Sequence, residues 1–428
     1  MTVLCLREKA QMDKIIIEGG RRLEGELEIS GAKNAVLPIM AAMILTTGKN
    51  KISRVPRVRD VRTMLHLLNE LGGRTEEFKG GCILFDTANI NNYKAPYELV
   101  STMRASCLVL GPLLARLGRA KVSLPGGCAI GARPLDLHIR GLEAMGAEIR
   151  LEQGYIYGSV KRLRGTRYNF NTVSVTGTAN LMMAATLADG ETILENVAKE
   201  PEVIFLADVL NQCGAKIEGQ GTDLLVIQGV NSLKPIDCRI CPDRIETGTY
   251  MIASAITGGD VNIIDCLPKQ VETLTLKLRQ AGVTVEEAKT SLRVISGGPL
   301  NGVNIKTQPH PGFATDLQAQ FMALMTLAQG QSIILETIFE NRFMHVAELN
   351  RMGANITVQG HTAFVSGVKR LSGEPLMATD LRASASLVLA ALAAEGESVI
   401  SRVYHIDRGY FSMEEKLYRL GAKIWRKK

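Results

Sequence analysis

Met352–Gln359 reads MGANITVQ: the end of a helix, a glycine stop and a short strand. This octet decides the fold because it recurs. LGGRTEEF begins at Leu71, MGAEIRLE at Met145, CGAKIEGQ at Cys213, AGVTVEEA at Ala281 and LGAKIWRK at Leu420. The first glycines, Gly72, Gly146, Gly214, Gly282, Gly353 and Gly421, stand 74, 68, 68, 71 and 68 residues apart. A period of that length exceeds the roughly 20–50 residues of one-dimensional solenoids. Each repeat is therefore a small α/β module, and there are six.

Working outward from MGANITVQ gives the module its outline. GVNIKT (from Gly302) reads as a strand, Asp316–Ala328 as a helix apolar on most of its circumference, and SIILETIF (from Ser332) as a second strand. A polar turn with Asn341 and Arg342 leads to an amphipathic helix, His345–Met352, stopped by Gly353 where a positive φ costs little. NITVQG and TAFVSG then close a hairpin. The order is β-α-β-α-β-β. The first helix of the other units, as in GTANLMMAATLADG, GTYMIASAITGG and LRASASLVLAALAAEG, is rich in Ala, Ser, Gly and Met on nearly every side. A helix apolar all round is buried all round, and small residues let helices approach closely. These helices are expected inside with the sheets outside; the competing arrangement is a layered α/β domain on one central sheet. Three units make about 210 residues, a normal domain, so the six form two domains with a boundary around Gly229–Pro242. The opening strands IIIEGG and LEGELEIS read as a pair able to join either domain. A cleft between two similar domains is a frequent ligand site.

Composition narrows the function. The 428 residues carry 50 Lys and Arg against 43 Asp and Glu, a mild excess scattered along the chain rather than concentrated as in a nucleic-acid binder, which suits small anionic substrates at least as well. The longest apolar stretches, such as Ala35–Leu45, fall far short of the roughly 18 residues of a membrane span. The start has only a short apolar patch before charges, so the expectation is a cytoplasmic protein whose residues 1–11 form an extension. Eight cysteines without regular spacing fit reduced thiols. Phosphate-loop, dinucleotide, zinc-protease and serine-hydrolase motifs are absent. Cys238-Arg-Ile-Cys241 is a lone C-x-x-C, and a zinc site would need two more ligands.

Chemistry concentrates elsewhere. LPGGCAIGARPLDLHI, Leu124–Ile139, sets Cys128 on a glycine-bearing loop with Arg133 five residues on. Buried structural cysteine is the default for this residue, but such a loop favours an exposed thiol in an electropositive setting. Charged residues also begin the buried helices: Lys33 and Asn34 in the first, Arg104 in the second, Asp316 in the fifth, Asp380 and Arg382 in the sixth. Asp316 alone reads equally well as a helix cap, whereas a cation at a helix N-terminus opposes the macrodipole. Arg342 and Arg408 occupy the turn between second strand and second helix in units five and six, and Cys128 and Arg133 the same turn in unit two. Facing domains would bring such positions to one basic cleft.

Taken together, GAKN, MRAS, LPGGCAIGARPLDLHI, GFATDLQAQF, ETIFENRFMH, ATDLRASASL and HIDRGY closely resemble the UDP-N-acetylglucosamine 1-carboxyvinyltransferases, the enolpyruvyl transferases that open bacterial peptidoglycan synthesis. The resemblance runs from about Met12 onward in unbroken motif order. It implies an EPSP synthase-like fold: two inside-out α/β barrels of three βαβαββ repeats. It further implies a discontinuous catalytic domain of residues 12–33 plus 242–428, a UDP-sugar-side domain of residues 34–241, and hinges near Lys33 and residue 240. By the same resemblance Lys33 and Asn34 would contact phosphoenolpyruvate, and Arg104 with Arg133, Pro134, Leu135, Asp136 and Leu137 would hold the UDP-sugar. Cys128 would donate a proton, add covalently to phosphoenolpyruvate as a phosphothioketal and be the target of fosfomycin. Asp316 would receive the proton of the sugar 3-hydroxyl, Ile338 would line the sugar site, and Lys33, Arg133, Arg382 and Arg408 would surround carboxylate and phosphate. No metal or other cofactor is implied, nor a nucleic-acid or membrane partner. At Thr172–Gly177 the chain departs from members that have Lys followed by V-S-V-G. The alternatives are a shikimate 3-phosphate transferase, a non-catalytic UDP-sugar sensor and an RNA-binding protein on similar repeats.

Overall fold

A computed structural model describes residues 13–124 and 135–428. All six repeat glycines adopt φ between 91° and 101°, the left-handed conformation that ends a helix and turns the chain into the next strand. Among the described residues six four-stranded sheets result, one per unit. In unit five, Ile305–Lys306 lies parallel to Gln331–Leu335, which pairs antiparallel with Thr362–Ser366, itself paired with Asn355–Gln359. In many of the strands one face is buried and the other is wet. Gln331–Leu335, for instance, hides Ser332 and Ile334 and exposes Gln331 and Ile333. Edge strands such as Arg74–Lys79 and Glu148–Glu152 have no fully buried residue.

The helices lie inside, not on the outer faces of one central sheet. Arg244–Ile256 is buried at every position from Ile245 to Ile256, and Leu381–Ala393 at every position from Arg382 to Leu392. With Gln318–Met325 they pack against one another at the centre of one lobe. In the other lobe Leu110–Leu117 packs on Val175–Ala185, and Lys33–Ala42 on the 3-10 turn Arg104–Val109. Two separate hydrophobic cores follow, one running from Ala32 to Ile240, the other combining Ile15–Ile29 with Ile245–Ile424. No helix among the described residues is long and apolar enough to cross a membrane.

The opening strands differ from the expected pair. They do not bond to each other and they enter different sheets. Lys14–Glu18 sits antiparallel between Glu397–Ser401 and Lys423–Lys427 in unit six, and Glu24–Glu28 runs parallel to Asp260–Ile264 in unit four. Unit one takes its first strand, Asp237–Arg239, from the boundary segment instead. Each sheet has four places, and the chain's two crossings between lobes leave these three places to be filled from afar. Apolar alternation marks a strand but says nothing of its partner.

The two crossings run side by side. Ala32 N donates to Cys241 O at 2.8 Å and Asp243 N to Ser30 O at 3.0 Å, with Gly31 bridged to Pro242. A Cβ on Gly31 would lie 1.9 Å from the Arg54 carbonyl, so only glycine fits. Close approach also governs the helix interior at Gly111, whose N–H donates to Asn180 Oδ1 at 2.7 Å. Gly111→Ala would set a methyl 2.3 Å from that oxygen. It is expected to lower stability by about 1–3 kcal/mol, as overpacked cores do, read as a lower urea midpoint at unchanged slope.

Candidate active site

A cavity of about 520 Å³ opens between the lobes. Lys33, Asn34, Arg104, Thr176, Glu200 and Glu202 line it from one lobe, and Arg244, Asp316, Ile338, Arg342, Arg382 and Arg408 from the other. The inner helices aim their N-termini here, which is why residues at helix starts converge. Of the sequence-derived candidates, Lys33, Asn34, Arg104, Asp316, Ile338, Arg382 and Arg408 all meet on these walls. Leu135, Asp136 and Leu137 do not line it; Asp136 starts the helix Asp136–Ala144, with Leu135 just before it. That helix nonetheless reaches the wall through His138, whose Nε2 lies 3.2 Å from Thr176 Oγ1. Cys128, Arg133 and Pro134 lie outside the described residues.

Asp316 is not a helix cap. The turn Thr315–Leu317 has no side-chain cap, and the carboxylate is instead gripped from both sides. Arg342 Nη2 donates to Oδ1 at 2.7 Å and Arg382 Nη2 to Oδ2 at 2.8 Å. The two guanidinium groups are nearly buried, while a quarter of the Asp316 side chain faces the cleft. Burial alone would raise its pKa, but Arg382 and Arg342 outweigh burial and hold the carboxyl well below the usual range. The arginines are fixed in turn. Arg342 Nη1 donates to Thr315 Oγ1 at 2.9 Å, and Thr315 to Glu336 Oε2 at 2.8 Å. Arg382 Nη1 donates to the Tyr410 hydroxyl at 3.2 Å, which also meets Thr249 Oγ1 at 2.8 Å. Asp380, the other acid flagged at a helix start, does cap its helix, accepting from Arg382 N and Ala383 N.

Lys33 is nearly buried at the start of its helix. Its backbone N–H donates to Asp243 Oδ2 at 3.0 Å, while Asp243 Oδ1 caps the helix Arg244–Ile256 through Ile245 N and Glu246 N. Its ammonium lies 2.7 Å from Asp60 Oδ2. Burial lowers the Lys33 pKa, and Asp60 partly restores it. Sequence reasoning missed Asp60, along with Tyr410 and the polar row of Glu200, Glu202, Arg244 and His310. Glu202 Oε1 accepts from Arg244 Nε at 3.0 Å, and Glu200 Oε1 from His310 N at 3.3 Å, both across the cleft. Tyr410 ends the HIDRGY stretch; the others had no local signal.

Cys238 and Cys241 stand apart from this site, and no third metal ligand joins them among the described residues. Burial pushes both thiols up to about 12.

Repeats, inner helices and a basic cleft between two lobes define a class, and comparison with known proteins agrees with it. The EPSP synthase (3-phosphoshikimate 1-carboxyvinyltransferase) family model matches residues 17–417. Among solved structures, the enolpyruvyl transferase NikO from Streptomyces tendae shares the fold with a TM-score of 0.87 at 24% identity, covering 97% of this chain and 99% of its own. EPSP synthase from Acinetobacter baumannii gives 0.77 at 19%, covering 97% and 100%. Curated relatives are far closer in sequence. The UDP-N-acetylglucosamine 1-carboxyvinyltransferase of Desulfosudis oleivorans is 57% identical over 97% of this chain and 99% of its own. Those of Trichlorobacter lovleyi and Geobacter metallireducens are 58% and 56% identical, over 97% of this chain and 99% and 100% of theirs. The chain belongs to the UDP-N-acetylglucosamine 1-carboxyvinyltransferase family.

Asp243→Ala removes a helix cap and strands the buried Lys33 N–H at once. The expected loss is about 2 kcal/mol of stability, measured by thermal or urea unfolding; Asp243→Asn should recover part of it.

Proposed function

We propose that this chain transfers the enolpyruvyl group of phosphoenolpyruvate to the 3-hydroxyl of UDP-N-acetylglucosamine, the first committed step of peptidoglycan synthesis, as a cytoplasmic enzyme. The observation that carries this is the cleft itself: in a chain 56–58% identical to named transferases, cations and a carboxylate from both lobes face one cavity. The 3-hydroxyl adds to C2 of phosphoenolpyruvate while C3 gains a proton; loss of a C3 proton then expels phosphate and leaves the enol ether. Two proton-transfer groups on opposite sides of the reacting carbon are required. Asp316 takes the hydroxyl proton and Cys128 supplies the proton to C3. Lys33, Asn34, Arg133, Arg382 and Arg408 hold the carboxylate and phosphate, and Arg104, Arg133, Pro134 and Ile338 the UDP-sugar; Leu135, Asp136 and Leu137, which do not line the cavity, join them only as the lobes close.

The Asp316 pairing gives the base a condition. With both arginines on it, the carboxylate is ionised but a weak proton acceptor. An anionic substrate that draws Arg382 and Arg342 toward itself raises the Asp316 pKa and makes the carboxylate a competent base. The functional domains in this reading are residues 12–33 plus 242–428 and residues 34–241, hinged at the paired crossings; Lys33, at the hinge, opens the helix Lys33–Ala42 and so stands with the second of these domains, and closure over substrate excludes water from the charges.

The test is phosphate release with purified protein and both substrates. Release is expected only with phosphoenolpyruvate and UDP-N-acetylglucosamine together, and Asp316→Asn should lower kcat roughly 100- to 10,000-fold. Release with shikimate 3-phosphate as acceptor instead, or none with either, would reject the reading.

Fosfomycin should alkylate Cys128, faster when UDP-N-acetylglucosamine is present, and Cys128→Ser should lose both labelling and most turnover. The thiols of Cys238 and Cys241, held protonated by burial, should stay unmodified at low reagent. Peptide mass spectrometry locates the adduct; one on Cys107, Cys238 or Cys241 in place of Cys128 would defeat the assignment.

A further inference from the structure

We infer that Asp60 is a positioning residue of this site, a buried carboxylate that spans the cleft and fixes Lys33 of one lobe against Arg408 of the other. The inference rests on the proposed function and adds to it a residue that touches no substrate. Asp60 lies in the first turn of the helix Arg59–Glu70, with its side chain only 4% exposed. Both oxygens are taken: Oδ2 by Lys33 Nζ at 2.7 Å, Oδ1 by Arg408 Nε at 3.0 Å. Lys33 and Arg408 line the cavity and Asp60 does not, so the carboxylate stands behind the two cations that face the substrate.

Asp316 makes a useful contrast, because both of its arginines come from its own lobe. The Asp60 pair reaches across, and its geometry exists only when the lobes are correctly set. The need for such a group follows from charge. Lys33 is crowded by Arg382 and Arg408, and each of these disfavours its ammonium form. Among the described charged side chains around Lys33, Asp60 is the one that opposes them, since Asp243 meets only the backbone N–H. The carboxyl of Asp60 would be raised by burial, but Lys33 and Arg408 outweigh that and keep it below its ordinary value. It therefore stays ionised over the working pH range. Without it, two adjacent cations would repel, Arg408 would lose its anchor, and Lys33 would give up its proton more readily.

The sign of the pH effect is fixed by this arrangement. Lys33 works as the ammonium, so activity is lost as pH rises through its pKa. Removing the Asp60 charge lowers that pKa, and the alkaline limb of the pH profile moves to lower pH.

The experiment measures kcat/KM for phosphoenolpyruvate against pH by phosphate release, in wild type, Asp60→Asn and Asp60→Glu. Asp60→Asn is expected to lose on the order of 100-fold, the scale of a misplaced binding group. Its alkaline limb should fall in pH, and its KM for UDP-N-acetylglucosamine should stay within about twofold of wild type, because binding of that substrate does not pass through the pair. Asp60→Glu keeps the charge but lengthens the arm, so its alkaline limb should return to the wild-type position while the rate remains depressed. A wild-type rate in Asp60→Asn, or a reduced rate with an unmoved limb, would overturn the role. If Asp60→Asn fails to fold, Asp60→Glu decides alone, a wild-type rate counting against positioning. The wild-type arm reads the functional proposal separately. Should wild type release no phosphate, calorimetry with inorganic phosphate carries the comparison. Affinity falling more steeply from neutral to alkaline pH in Asp60→Asn than in wild type supports the role, and equal slopes reject it.

Discussion

One carboxylate, Asp243, carries a disproportionate share of this molecule's organisation. It sits where the chain crosses between lobes for the second time and reaches back to the first crossing. With one oxygen it starts one of the buried central helices of its lobe; with the other it holds the backbone of Lys33. Crossing, helix start and cationic wall are thereby tied to a single side chain. The neighbouring clamp is of the same kind: Arg54 donates to the carbonyls of Ile29 and Asp265 and pairs with the Asp265 carboxylate, so one lobe grips the other beside the connecting strands. Any relative movement of the lobes pivots about a hydrogen-bonded ribbon rather than a loose linker.

The cleft illustrates how a protein keeps charge where it is unstable. Buried cations in a row repel, and burying any one of them without a partner costs several kcal/mol. This chain answers with carboxylates set behind or between the cations: Asp60 with Lys33 and Arg408, Asp316 with Arg342 and Arg382, Glu202 with Arg244. Each pair holds its cation in place before substrate arrives; in the proposed reaction Lys33 and Arg408 then have little left to reorganise, while the arginines on Asp316 are released toward the substrate. The resulting stability is modest, because desolvation offsets much of the Coulomb gain. Preorganisation is the larger return.

Much of this was legible in the sequence, for reasons that can be named. The six glycines betray the repeat because a positive φ at a helix end admits few other residues. The inner helices betray their burial by having no polar face. Arg382 at a helix start was conspicuous because a cation there opposes the dipole, and it does turn out to hold the half-buried carboxylate of Asp316. Asp60 was invisible for the converse reason: an acid in the first turn of a helix is the ordinary complement of the dipole, and nothing local betrays that its partners come from 27 residues before it and 348 after it. The destinations of the opening strands were equally hidden, since the pattern of Ile15, Ile16 and Ile17 gives a strand without a neighbour. Glu200, Glu202 and Arg244 belong to the same category, being ordinary charged residues until two lobes face each other.

The placement of Lys14–Glu18 in the middle of a sheet has a consequence for synthesis. The lobe built on residues 32–240 draws all its strands from one continuous stretch and can condense while the ribosome is still at work. The other cannot. Its earliest strand waits, with hydrogen-bonding edges bare on both sides, until Glu397–Ser401 and Lys423–Lys427 have emerged to flank it. Such an edge is what other chains pair with when they aggregate. The second lobe therefore closes last, around the strand that was made first.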